Sequence, residues 1–402
     1  MTAGAPPPGP PAGLRLDLRG RGLRAVPDEV FDQAGQLEVL DLSGNALEDL
    51  PADLARLERL RVLFCSDNRF TRMPEVIGRC PALEMVGFKA NRIDEVPEAA
   101  LPPRLRWLIL TDNRLPELPA SIGRCTRLQK LMLAGNRLER LPAELAACER
   151  LELLRLSANA FTEAGRALPA WLLALPRLAW LAYAGNPFCS DWETAATADV
   201  RPVPWAALEV GERLGEGASG LIHAARWQNG DSPPRDVAVK LFKGTMTSDG
   251  LPASERAACL AAGPHPNLVP VLGHLTGHPE GREGLVLGRI PPGHRNLAGP
   301  PSLASCTRDV YDDGLSFDAA AAARLVRGVA SAVAQLHARG LLHGDLYAHN
   351  ILVADDGSPL LGDFGAASFL PLDDQPRREA LQALDRRALG WLQDELAQRT
   401  RA

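Results

Sequence analysis

Leu37-Glu-Val-Leu-Asp-Leu-Ser-Gly-Asn45 is the stretch on which the first half of the chain is read. Its leucines fall at 37, 40 and 42, with an asparagine three residues further on. Leu128-Gln-Lys-Leu-Met-Leu-Ala-Gly-Asn136 repeats the pattern. Asn45, Asn68, Asn91, Asn113, Asn136, Asn159 and Asn186 stand 22 to 27 residues apart, and L-x-x-L-x-L-x-x-N precedes most of them. A degenerate earlier copy begins at Leu14, with Arg21 in the asparagine position. Leu50-Pro51, Met73-Pro74, Val96-Pro97, Leu118-Pro119 and Leu141-Pro142 follow successive copies. A unit this short supplies one strand and a return segment, and it cannot bury its leucines alone. Stacked copies share one core. The asparagines stand where the chain must turn with its backbone groups buried, and a side-chain amide satisfies such groups. They are therefore read as structural and not as ligands.

The pattern resembles the leucine-rich-repeat family over about residues 14–189. That resemblance implies an α/β solenoid, a horseshoe of about eight repeats. Between the leucines, the two-residue period of a strand turns Val39, Asp41, Val62, Lys89, Lys130 and Arg155 outward. It also turns Phe64, Met85, Trp107, Ile109, Met132, Leu153 and Trp180 outward, an apolar stripe on the concave side. Exposed apolar patches of that size mark partner sites. Two occupants are open: a separate protein partner or substrate, and the chain's own second half or a second copy. Asn186-Pro-Phe-Cys189 breaks the repeat, and the Pro-punctuated stretch 190–204 is read as a linker.

The whole chain bounds these readings. Its 402 residues allow two or three domains, and its apolar and charged fractions are those of a globular protein. A formal net charge of −5 gives no whole-chain footprint for nucleic acid. The seven cysteines are odd in number and scattered, with no C-x-x-C pair. They are read as reduced thiols of a cytoplasmic protein. Residues 1–13 read as a disordered lead, and no apolar run reaches the roughly 20 residues that cross a membrane.

Behind the linker, Leu214-Gly-Glu-Gly-Ala-Ser-Gly-Leu-Ile222 matches G-x-G-x-x-G. A strand-like stretch precedes it, and Ile222–Trp227, a turn at Asn229-Gly230 and Val237-Ala-Val-Lys240 follow. That is a hairpin and then a strand, whereas a dinucleotide fold would run strand to helix. Glycines there let backbone approach phosphates. Leu325, Val329, Val333 and Leu336 recur with helical spacing, with Ser316 as the expected N-cap and Asp318 in the first turn. The helix leads into Leu342-His343-Gly-Asp345-Leu-Tyr-Ala-His-Asn350-Ile-Leu-Val353, and Gly362-Asp363-Phe-Gly365 follows.

Four motifs in this order resemble the protein kinases, over residues 205–402. The resemblance implies an α+β bilobal kinase-like fold, ATP and magnesium as cofactors, and a set of site residues. Leu214, Gly215, Glu216, Gly217, Ala218, Ser219, Gly220, Ile222, Ala238 and Lys240 would hold the nucleotide. Lys240 and Glu255 would pair to align phosphates. Asp345 would take the acceptor proton, and Asn350 and Asp363 would hold metal. His343 is read as structural, and His349 has no assigned role.

Three features depart from the kinase pattern. Gly344 replaces the Arg of H-R-D, which commonly couples the catalytic loop to a phosphorylated activation loop. Tyr347 stands where serine/threonine kinases usually carry a Lys that steadies the transferred phosphoryl group. No A-P-E occurs, and the sequence ends soon after Asp385–Leu396, a stretch similar to the helix that follows the activation segment. A shortened C-lobe is therefore expected, with ATP handling intact and peptide docking reduced. Repeats joined to such a domain resemble the bacterial leucine-rich-repeat-containing protein kinases. The leading expectation is a Ser/Thr-directed protein kinase whose repeats recruit the partner by raising its effective concentration. The alternatives are a nucleotide-binding pseudokinase scaffold and a small-molecule kinase.

Overall fold

A computed structural model describes residues 13–401, apart from 198–200, 218, 231, 232, 245 and 248. The chain forms two compact units. One holds residues up to 131 together with 141–150; the other holds 132–140 and everything from 151 on.

In the first unit, β1 (Leu14–Asp17), β2 (Leu37–Asp41), β3 (Val62–Phe64), β4 (Met85–Gly87) and β5 (Trp107–Ile109) pair in parallel. Val39, Val62, Met85 and Trp107 stand side by side, and so do Leu40, Leu63, Val86 and Leu108. The second of these rows is the core, and all four side chains are buried. β6 (Lys130–Met132) carries the division between the units. Four of the five recurring prolines open a 3-10 turn: Pro51, Pro74, Pro119 and Pro142 sit at the N-caps with φ between −64° and −70°. The ring fixes that φ, and its missing N–H is one that a helix start leaves unpaired anyway.

The asparagines form the expected ladder. Asn68 Nδ2 donates to Leu42 O (3.0 Å) and Cys65 O (3.1 Å), and its Oδ1 accepts from Leu47 N (3.0 Å). One amide thus satisfies groups in two successive repeats. Asn91 and Asn113 repeat the arrangement.

The second unit contains the end of the repeats. β7 (Leu153–Arg155) and β8 (Trp180–Ala182) pair in parallel, with Arg155 opposite Ala182. The short helices α1 (Ala164–Ala167) and α2 (Ala170–Leu173) lie between them in sequence. The stretch read as a linker is largely ordered structure instead. Ser190–Thr197 is helix α3, and Pro202–Pro204 is strand β9 of the next sheet. Glu193 on α3 accepts from Gly185 N (2.7 Å) and from Ser254 Oγ (2.8 Å), which fastens the last repeat to a residue some 70 positions further along the chain. Proline punctuation could not reveal those tertiary bonds.

That next sheet has the order β10-β11-β12-β14-β13-β9. Its further strands are β10 (Leu208–Glu216), β11 (Gly220–Trp227), β12 (Arg235–Phe242), β13 (Val271–Thr276) and β14 (Gly284–Gly288), with helix α4 (Pro252–Ala262) between β12 and β13. Val237, Val239 and Leu241 point into a core with Trp227, Leu275 and Val286, so the other face of β12 is left for Ala238 and Lys240. Beyond it come β15 (Arg295–Asn296), α5 (Ala319–Ala338), β16 (Leu341–Leu342), β17 (Ile351–Val353), β18 (Pro359–Leu361), β19 (Ser368–Phe369) and α6 (Gln375–Ala397). Leu325, Val329, Val333 and Leu336 form the buried stripe of α5. Its N-cap is Asp318 and not Ser316: the carboxylate accepts from Ala321 N (2.7 Å). Among the described residues, no helix is long and apolar enough to cross a membrane.

Candidate active site

The β10–β11 hairpin closes through Gly217 N donating to Gly220 O (2.9 Å). A Cβ on Gly220 would lie 2.7 Å from Leu241 O and 3.2 Å from the Lys240 side chain, so this position admits only glycine. Gly215 and Gly217 face open space. Ala218 lies outside the described residues. Ser219 is buried, and its side chain favours the charged form of Glu255. Glu216 turns outward to pair with Lys243, and Leu214 is exposed. Ile222 stands opposite Lys240 across the hairpin, so Ile222, Ala238 and Lys240 share one face beneath the loop.

Lys240 Nζ meets Glu255 Oε1, joining β12 to α4. Glu255 is 2% exposed. Burial pulls the lysine's pKa down, but Glu255 and Asp363 outweigh it, and Lys240 is held above its ordinary value as a cation. The sequence pairing of these two residues is therefore present in the fold. The acid in reach of this pair, Asp363, has φ +55°, a left-handed conformation that aspartate tolerates, and its Oδ1 accepts from Gly365 N (3.2 Å).

The segment 342–353 is held from several sides. His343 is fully buried; its Nδ1 accepts from Asp345 N (3.3 Å), so its Nε2 donates to Gly362 O (3.1 Å). Asp385, on α6, accepts from His343 N (2.9 Å) and Gly344 N (3.1 Å), and His337 Nε2 lies 3.0 Å from the same carboxylate. His349, unassigned from sequence, pairs with Asp309 at 2.7 Å, and Asp309 also accepts from His349 N. Asn350 Nδ2 donates to Asp345 O (2.9 Å) and Asp345 Oδ2 (2.8 Å). That leaves Asn350 Oδ1 as the atom for a cation. With the Asp363 carboxylate it makes two hard oxygen donors, and magnesium suits a site completed by phosphate and water oxygens. No cluster of three or more His, Cys, Asp or Glu able to hold a metal occurs among the described residues. A cation here thus depends on the nucleotide's own oxygens, and the residues present fit a magnesium nucleotide.

The end of the repeats closes over this loop. Trp180 stacks on Tyr347 (4.0 Å between centroids, 11° between planes), and its Nε1 donates to Leu346 O (3.1 Å). Tyr183 Oη donates to Phe369 O (2.9 Å). Glu152, 1% exposed, accepts from Thr307 Oγ1 and pairs with Arg308 (3.4 Å). Gly344 has φ +70°, and a Cβ there would lie 2.4 Å from Leu181 O and 2.8 Å from Ala366 O. Both departures in the loop thus meet β8: Gly344 lies against Leu181, and against Ala366, and Tyr347 lies against Trp180. Arg155 reaches in beside them. Its Nε donates to Asp249 Oδ1 (2.6 Å), its Nη1 to Gly344 O (3.2 Å) and its Nη2 to Asp345 Oδ1.

These contacts also correct the apolar stripe. Trp180 is occupied by Tyr347 and Leu346, and Met85, Met132 and Leu153 are also buried. Phe64, Trp107 and Ile109 are half-buried, with Lys130 Nζ 4.4 Å above the Trp107 ring. Sequence reasoning placed Arg155 on the strand face and Asp385 on a helix without a role for either. A lone arginine among apolar neighbours, opposite a loop that lacks its expected basic residues, was the available signal.

Comparison with known proteins agrees with this geometry. The profile described as protein tyrosine and serine/threonine kinase matches residues 208–401, and the leucine-rich-repeat profile matches 15–70 and 103–161. The chain thus carries leucine-rich repeats and a protein-kinase domain. Among its relatives are a putative cyclin-dependent kinase F-2 (33% identical) and cyclin-dependent kinase F-1 (30%), both of Oryza sativa subsp. japonica. The first match covers 38% of this chain and 45% of the relative; the second covers 47% and 36%. A probable LRR receptor-like serine/threonine-protein kinase IRK of Arabidopsis thaliana is 34% identical over 19% of this chain and 8% of its own length. The chain spans less than half the length of each of these relatives.

Proposed function

We propose that this chain transfers the γ-phosphoryl group of magnesium-ATP to serine or threonine hydroxyls of a protein. The carrying observation is that the Lys240–Glu255 pair and the Asp345–Asn350 pair are both assembled. The nucleotide would lie under the Gly215–Gly220 loop, with Lys240 on its phosphates. Asn350 Oδ1 and Asp363 would hold magnesium, which when bound neutralises charge on the phosphates. The acceptor oxygen bonds to the γ-phosphorus as the bond to the bridging oxygen breaks. The electron pair leaves with ADP, and Asp345 takes the acceptor's proton. Phe64, Trp107 and Ile109 offer a protein partner its contact in the first unit. All seven cysteines are buried and none is in a disulfide among the described residues, which suits a reducing compartment such as the cytoplasm.

The test is transfer from γ-labelled ATP with magnesium, comparing wild type with Asp345→Asn in autophosphorylation and in a cell extract. Label on protein is expected to fall by about 100-fold or more in the variant. Label on small molecules alone would favour metabolite phosphorylation. Nucleotide binding with no Asp345-dependent transfer would leave a scaffold.

A further inference from the structure

Arg155 is the buried cation of the second unit that the proposed transfer leaves unused. It projects from β7, a repeat strand, yet it is 1% exposed and its guanidinium meets three acceptors. Two of these belong to the loop segment that carries the catalytic carboxylate: Gly344 O and Asp345 Oδ1. The third, Asp249, fixes the fork from the other side. Burial pulls the guanidinium's pKa down, Asp345 and Asp249 outweigh it, and Arg155 stays charged.

Burying a guanidinium is costly, and an apolar side chain of similar volume commonly fills such a place at no loss of stability. What Arg155 does that an apolar residue cannot is hold a carboxylate. Asp345 has one oxygen on Arg155 Nη2 and the other on Asn350 Nδ2. Pinned at both oxygens, the carboxylate cannot turn about its side-chain bonds, and its remaining lone pairs face a fixed direction. A base that takes a proton during transfer needs that constraint, since a misplacement of about 1 Å costs about 100-fold in rate. The guanidinium fork is planar and rigid, and a repeat strand is a stiffer mount than a loop.

We propose that Arg155 is a positioning residue for phosphoryl transfer: a repeat strand supplies the cation that orients Asp345, so the last repeats are part of the active site. This rests on the proposed kinase activity.

The experiment uses the full chain as wild type, Arg155→Gln, Arg155→Lys and Asp249→Asn. Each is assayed for initial rates of transfer from γ-labelled magnesium-ATP to itself and to dephosphorylated casein. Binding of a fluorescent ADP analogue and thermal melting are followed in parallel. Arg155→Gln is expected to lower kcat about 100-fold with KM for ATP within about twofold of wild type. Arg155→Lys keeps the charge without the fork and is expected to recover about tenfold of that loss, with Asp249→Asn between it and wild type. A merely structural arginine would lower the melting temperature and active fraction without this split or graded rescue. Wild-type kcat in Arg155→Gln overturns the proposal, and faster transfer overturns it in favour of a brake. If Arg155→Gln does not melt cooperatively, Arg155→Lys decides: about a tenfold loss at unchanged KM supports positioning, and wild-type kcat refutes it. Wild type that binds the analogue but labels nothing fails the kinase reading itself, and the proposal falls with it.

Discussion

Gly344 shows how a single residue records a contact made far away in sequence. Its φ of +70° and the 2.4 Å approach of Leu181 O leave no room for any side chain. Gly344→Ala is therefore expected to cost about 3 kcal/mol, from left-handed strain and displaced backbone together. Denaturant unfolding measures it, and restoring an arginine at this position would be worse, not better. Lys240, Asp345, Asn350 and Asp363 could be nominated from sequence because each motif fixes its own residue by short-range spacing, and Glu255 could be nominated as the acid on the helix that follows. Arg155 could not, because its partners Asp249 and Asp345 lie 94 and 190 residues away.

At the scale of elements, the repeat is the most legible part of the chain. Proline at the turn N-caps of four repeats and the recurring asparagines are local devices, and a local pattern determines both. Asn68→Ala would leave Leu47 N–H, Leu42 O and Cys65 O without this partner in a buried turn. A loss of about 2–3 kcal/mol is expected. Denaturant unfolding reads the loss, and faster hydrogen exchange at the Leu47 amide locates it. Where elements were misread, tertiary bonds decided. Residues 190–197 look like a polar linker and are a helix because Glu193 finds Gly185 N and Ser254. Asp318 displaces Ser316 as the cap of α5 by one hydrogen bond, to Ala321 N.

For the whole molecule, the compact second unit does not begin where the repeats end. It takes in residues 132–140 and 151–189 along with the kinase domain. Trp180 on Tyr347, Tyr183 on Phe369 and Glu152 on Thr307 tie these parts together through buried side chains. A fragment of residues 202–402 would expose Tyr347 and leave Asp345 without Arg155. It is expected to melt well below the full chain and to transfer no phosphate. Calorimetry and the labelled-ATP assay check this, and a fragment as stable and active as the whole would refute it. On the expected outcome the last repeats are part of the folded kinase unit.

Periodicity and motif order were enough, from the sequence alone, to establish a repeat solenoid and a kinase domain, and to nominate the nucleotide, metal and base residues of that domain. These rest on hydrophobic spacing and on residue types held within a few positions of one another, which the linear chain carries. Only the tertiary structure decided that β8 packs against Gly344 and Tyr347, and that Arg155 of β7 pairs with Asp345. Those are pairings of buried charges and ring faces across some 190 residues, and no local pattern encodes which distant surface a strand face will meet.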